Sequence, residues 1–86
     1  MDHEKIFQKV REVLAYEVCI SENKIGKETK LGDDLKMDSL DIAEFLIVVE
    51  EEFDINFSDE SQQEMKTRET VDDVASAIEG LLAKKA

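Results

Sequence analysis

Apolar residues recur at helical steps along most of the chain. Ile6, Val10, Val13 and Leu14 share one face, with Lys5, Lys9, Arg11 and Glu12 elsewhere, which predicts a first helix over residues 3–18. No period is sustained from 19 to 37, where Gly26 and Gly32 fall, and this segment reads as a long loop packed down in part by Thr29, Leu31 and Leu35. A connection of that length is uncommon in a compact domain and is often functional. A second helix begins at Asp38 or Ser39, since Asp38 suits an N-cap and the Asp41 carboxylate then sits at the positive end of the helix dipole. The stretch Ile42 to Val49 is apolar nearly all round and, taken alone, reads equally as a buried strand. Its unbroken run to Phe53, and the step Leu40, Ala43, Ile47 and Glu50 or Glu51, favour a helix. Such a helix is central in the fold or offers apolar residues to a partner. A short third helix is expected from Ser58 through Asp59 and Glu60 to Met65. The last helix begins at Thr70, where Thr70-x-x-Asp73 resembles a capping box, and carries Val71, Val74, Ala75, Ile78 and Leu82 on one face with Lys84 and Lys85 at its negative end. The expectation is an all-α four-helix bundle of three longer helices and one short third helix, with a long first loop, forming one domain over residues 1–86.

Size and charge narrow the function. With 86 residues, 42% hydrophobic, the chain has one small core and little room for a deep cleft, which tilts toward a binding, carrier or regulatory module. The net charge is −11, and residues 28–64 hold all of it, with 13 acidic and two basic side chains, Lys30 and Lys36. The acidity therefore weighs against free nucleic acid and anionic membrane surfaces as partners, and basic protein surfaces are favoured. The lone Cys19 permits neither an intramolecular disulfide nor a C-x-x-C metal site. Asp2, Glu4, Glu12 and Glu17 rule out a signal peptide at the start, and no apolar run reaches membrane-span length. The expectation is a cytoplasmic protein with no membrane insertion.

Candidate chemistry is sparse. The only histidine, His3, reads as a solvated terminal residue, and there is no G-x-S-x-G. A calcium loop starting at Asp54 fails at its sixth position, Asp59, and its twelfth, Met65. Cys19 reads as a small buried residue, Phe45, Phe53 and Phe57 as core, and Tyr16 has no assignable role. What remains is Asp38-Ser39-Leu40-Asp41, a serine exposed at a helix start after a long loop. On these four residues alone, ordinary capping explains the pattern.

The wider stretch Leu31-Gly32-Asp33-Asp34-Leu35-Lys36-Met37-Asp38-Ser39-Leu40-Asp41, continuing to Glu50-Glu51-Glu52-Phe53-Asp54-Ile55, closely resembles the acyl carrier protein family. That family carries D-S-L at the start of its second helix and an E-E-E-F run at its end. The resemblance implies that Ser39 carries 4′-phosphopantetheine through a phosphodiester, added from coenzyme A by a phosphopantetheinyl transferase, and that the arm's thiol holds an acyl group as a thioester. It implies a carrier that catalyses nothing itself and serves acyl-processing enzymes with basic patches, of ketosynthase, acyltransferase, reductase or acyl-ligase type. Asp38, Leu40, Asp41, Glu44, Ile47, Glu50 and Glu51 match the family's recognition positions on the second helix, and Phe57 and Asp59 match positions just beyond it. It further implies an interior, with small residues such as Ala43 and Ala75, that parts to shelter an acyl chain. A monomer is the simplest expectation.

The chain also departs from the family pattern. Lys36 and Met37 stand where the family commonly has glycine and a small residue, Ser58 where it often has proline, and Lys66-Thr67-Arg68-Glu69 lengthens the last link. These departures leave open a specialised lipid or polyketide pathway rather than housekeeping fatty-acid synthesis. A peptidyl or D-alanyl carrier, an unmodified acidic adaptor and a calcium sensor are the rival readings.

Overall fold

The computed structural model describes residues 2–58 and 70–85. They form three α-helices and one 3-10 turn: α1 (His3–Val18), the turn Glu22–Lys24, α2 (Ser39–Phe53) and α3 (Val71–Lys85). The short helix expected to Met65 lies almost wholly outside the described residues. So does the long link at Lys66–Glu69.

Helix α1 spans the residues that the spacing predicts. The Asp2 carboxylate accepts from the Lys5 N–H at 2.9 Å and caps its start. The face of Ile6, Val10, Val13 and Leu14 is buried and is joined by Phe7. Cys19 ends the helix in the left-handed region at φ 57°, donating its N–H to the Ala15 carbonyl. Its side chain is exposed, which corrects the expectation of a buried thiol, because a left-handed cap leaves the helix's apolar stripe.

His3 is also corrected. It is no free terminal residue: Nε2 lies 2.6 Å from an Asp72 oxygen and Nδ1 3.4 Å from a Glu79 oxygen, both on α3. The hydrogen bond to Asp72 is the main cause of a pKa raised above 6.5, opposed by burial and reinforced by the charges of Asp72 and Glu79.

The long first connection is ordered by what it packs beneath and by what it bonds. Ile25, Leu31, Leu35 and Met37 enter the core. Thr29 acts through hydrogen bonds: its hydroxyl accepts from the Gly26 N–H at 2.8 Å and its carbonyl from the Val71 N–H at 2.9 Å. The Asp72 N–H donates to the Lys27 carbonyl at 3.0 Å, and Lys30 pairs with Thr70 in an isolated antiparallel bridge. Two donors that a helix start leaves orphaned are thus satisfied by the loop. The expected box supplies another pair, with the Asp73 N–H on Thr70 Oγ1 at 3.1 Å and the Thr70 N–H on Asp73 Oδ2 at 3.0 Å.

Helix α2 is helical throughout, so the strand alternative falls. Its buried face is Ile42, Phe45, Leu46, Val49 and Phe53. The step Leu40, Ala43, Ile47 is instead the solvent face. Ala43 therefore does not belong to the interior, a correction, whereas Ala75 on α3 is fully buried. Helix α1 packs against both α2 and α3.

The His3 contacts carry a pH dependence. A raised folded pKa means that this clamp is fully present below about pH 6.5, the unfolded value, and is lost as pH rises through the higher folded value. Chemical denaturation across pH 6–9 should show stability falling above pH 6.5 in the wild type, and a smaller fall in His3→Gln.

Candidate functional site

The start of α2 is built by two aspartates around a serine. Asp38 is extended, at φ −93° and ψ −177°, and its carboxylate accepts from the Asp41 N–H at 2.8 Å. The Asp41 carboxylate accepts in return from the Asp38 N–H at 3.2 Å. This reciprocal box satisfies two donors with residues that flank Ser39, the first residue of the helix, which is exposed. The cap is therefore Asp38, and the serine hydroxyl is not needed for it.

The approach to the helix is tight. The Lys36 N–H donates to the Gly32 carbonyl at 3.0 Å and the Met37 N–H to the Leu31 carbonyl at 3.1 Å. Lys36 sits at φ 60°. A left-handed conformation costs an L-residue about 1 kcal/mol, which glycine avoids. Lys36 thus points an exposed cation to solvent at a glycine-like position, while Met37 is buried. Beside them a groove of about 230 Å³ is lined by Glu17, Val18, Leu35, Met37, Asp41 and Glu44.

Along α2, Leu40, Glu44, Ile47 and Glu51 follow at helical steps and are all exposed. Leu40 is 66% and Ile47 54% exposed, which sets apolar surface among carboxylates. Two of the expected recognition residues behave differently. Glu50 is half-buried, and its carboxylate accepts from the Phe57 N–H at 2.8 Å. It holds the segment after the helix, where Asp54 turns at φ 54° and Ile55 donates to the Glu50 carbonyl at 3.0 Å. Phe57 itself is buried in the core, so its side chain is not part of the outer surface, a correction to its place among the docking residues. Asp59 lies outside the described residues.

A family described as phosphopantetheine attachment site matches residues 8–78. The acyl carrier protein of Coprothermobacter proteolyticus is 41% identical over 85 residues, covering 99% of this chain and 100% of that protein. The chain belongs to the acyl carrier protein family. The acyl carrier protein of Bdellovibrio bacteriovorus is 39% identical, covering 86% of this chain and 91% of the relative. A solved structure of the acyl carrier protein from Enterococcus faecalis superposes with a TM-score of 0.74 at 27% identity, covering 94% of this chain and 99% of that one. The all-α fold is thus that of an acyl carrier protein, and the chain is a non-enzymatic carrier with a phosphopantetheine attachment site. No helix among the described residues is long and apolar enough to cross a membrane. Nor do three or more histidine, cysteine or carboxylate side chains converge there as a metal site.

Sequence reasoning missed the division of labour among the carboxylates at the end of α2. A run of three glutamates looks uniform, yet Glu50 holds a backbone, Glu51 faces solvent and Glu52 pairs with Lys9 at 2.7 Å. Helical position was the available signal, since Glu50 lies on the flank nearer the core residues Phe53 and Leu46. Urea unfolding should separate the first two. Glu50→Ala strands the half-buried Phe57 N–H and should lower stability by about 1–2 kcal/mol at any salt concentration. Glu51→Ala should stay within about 0.5 kcal/mol of wild type.

Proposed function

We propose that Ser39 is the attachment residue and that the outer face of α2 is the surface by which partner enzymes recognise the carrier. The observation that carries this reading is the exposed Ser39 at the head of α2, inside the attachment domain, between two aspartates that already cap the helix. The residues present suit a phosphodiester. Ser39 supplies the oxygen, and the first-turn N–H groups and helix dipole favour a negative group there. The Asp38 and Asp41 carboxylates are held by backbone N–H groups. When bound, 4′-phosphopantetheine supplies a terminal thiol that holds an acyl group as a thioester.

The partners are a phosphopantetheinyl transferase, which takes the group from coenzyme A, and acyl-processing enzymes of ketosynthase, acyltransferase, reductase or acyl-ligase type. Asp38, Leu40, Asp41, Glu44, Ile47 and Glu51 form the contact face, with Glu50 acting from behind it. Carboxylates around exposed Leu40 and Ile47 suit a basic patch with an apolar centre, giving fast encounter and ready release. Residues 1–86 act as one carrier domain, monomeric and cytoplasmic. Its acidity supports the monomer, because like charge opposes self-association.

Intact mass before and after incubation with coenzyme A and a broad-specificity phosphopantetheinyl transferase tests the assignment. The expected result is one phosphopantetheine adduct on the wild type and none on Ser39→Ala. An adduct that persists in the variant would place the attachment elsewhere.

A further inference from the structure

The chain has five aromatic residues, four phenylalanines and one tyrosine. Phe7, Phe45, Phe53 and Phe57 are all buried, while Tyr16 is 84% exposed. Among the described residues the only other large apolar side chains so exposed are Leu40 and Ile47 on the outer face of α2. Tyr16 is on α1, but it shares a groove of about 270 Å³ with Lys9, Glu12, Val13, Val48 and Glu52. Val48 and Glu52 belong to α2 and directly follow Ile47 and Glu51 in the chain. The groove therefore bridges the two helices and sets Tyr16 beside the flank of α2, next to the helix's outward face of Leu40 and Ile47.

We infer that partner docking extends onto α1, with Tyr16 as a second anchor that receives a basic amphipathic helix of a partner enzyme, one of its apolar side chains lying over Val13 and Val48. This rests on the α2 face being the recognition surface.

Charge selects the occupant. The rim carries Glu12 and Glu52 against Lys9, whose Nζ lies 2.7 Å from Glu52 and 3.9 Å from Glu12 and whose pKa is raised chiefly by its hydrogen bond to Glu52. The groove rim is thus net acidic, with two carboxylates against one lysine. A second copy of this chain, itself at −11, is repelled, whereas lysines or arginines flanking an apolar residue are attracted. Tyrosine suits the role because its broad ring adds contact area at little entropic cost, and its hydroxyl tolerates the wet rim.

Tyr16 is the only tyrosine and there is no tryptophan, so labelling with 3-fluorotyrosine gives one fluorine resonance. The probe is a broad-specificity phosphopantetheinyl transferase titrated into labelled Ser39→Ala protein, which binds without turnover. The expected result is a shift or broadening that saturates with the transferase. In kinetics on otherwise wild-type protein, Tyr16→Ala should raise the carrier's KM about 3–10-fold, the range of a moderate interface anchor, with kcat and the unfolding midpoint unchanged. Tyr16→Phe should keep most of the affinity. A resonance that stays fixed at saturation, or an unaltered KM in Tyr16→Ala, while Ser39 is still modified, would overturn the α1 contact and leave the α2 reading standing. Absence of any Ser39 adduct would overturn the attachment reading and this surface with it.

Discussion

The reciprocal hydrogen bonds of Asp38 and Asp41 are the constraint on which the site depends. A helix start leaves N–H groups without partners, and a serine there supplies an acceptor only when it sits at the cap itself. Here the two aspartates answer each other's backbone, and Ser39 between them is relieved of structural duty. Its hydroxyl is then free for the attachment proposed for it, exposed at the helix start with the dipole's positive pole beneath it. The residues before it reinforce that position. Leu31, Leu35 and Met37 are buried, and the strained turn at Lys36 brings the chain into the cap.

From that point α2 divides into two surfaces with opposite tasks. Ile42, Phe45, Leu46, Val49 and Phe53 fill the core and fix the helix against α1. Leu40, Glu44, Ile47 and Glu51 look outward and make up the proposed docking face, whose mixed apolar and acidic character suits weak, quick and charge-steered contact. A sheltered apolar core and an acidic face conflict in a small domain, because repulsion among carboxylates weakens the folded state. Part of that repulsion is offset by structural use: Glu50 binds the Phe57 N–H, Glu52 pairs with Lys9, and Asp72 and Glu79 hold His3.

Much of this was legible in the sequence because local rules agreed with one another. The spacing from Ile6 to Leu14 marks α1, Asp38 marks the start of α2 and Thr70-x-x-Asp73 that of α3. The D-S-L motif with its acidic run pointed to the family. What stayed hidden was tertiary. Nothing local says that His3 meets residues about seventy positions on, or that the Thr29 carbonyl meets Val71. An almost wholly apolar α2 does not reveal which side is core, so Ala43 was placed inside. The family resemblance implies a docking role for Phe57, but its side chain serves the core. Cys19 was read by its usual burial, although its backbone conformation put it at a helix end, in solvent.

The most direct test of the central claim compares Asp38→Ala with Ser39→Ala by urea unfolding. If the aspartates cap the helix and free the serine, Asp38→Ala should lose about 1–2 kcal/mol. Ser39→Ala should remain within about 0.5 kcal/mol of wild type. Equal destabilisation by the two variants would show that Ser39 is itself part of the cap, and would contradict the separation of structural and chemical roles on which the account rests.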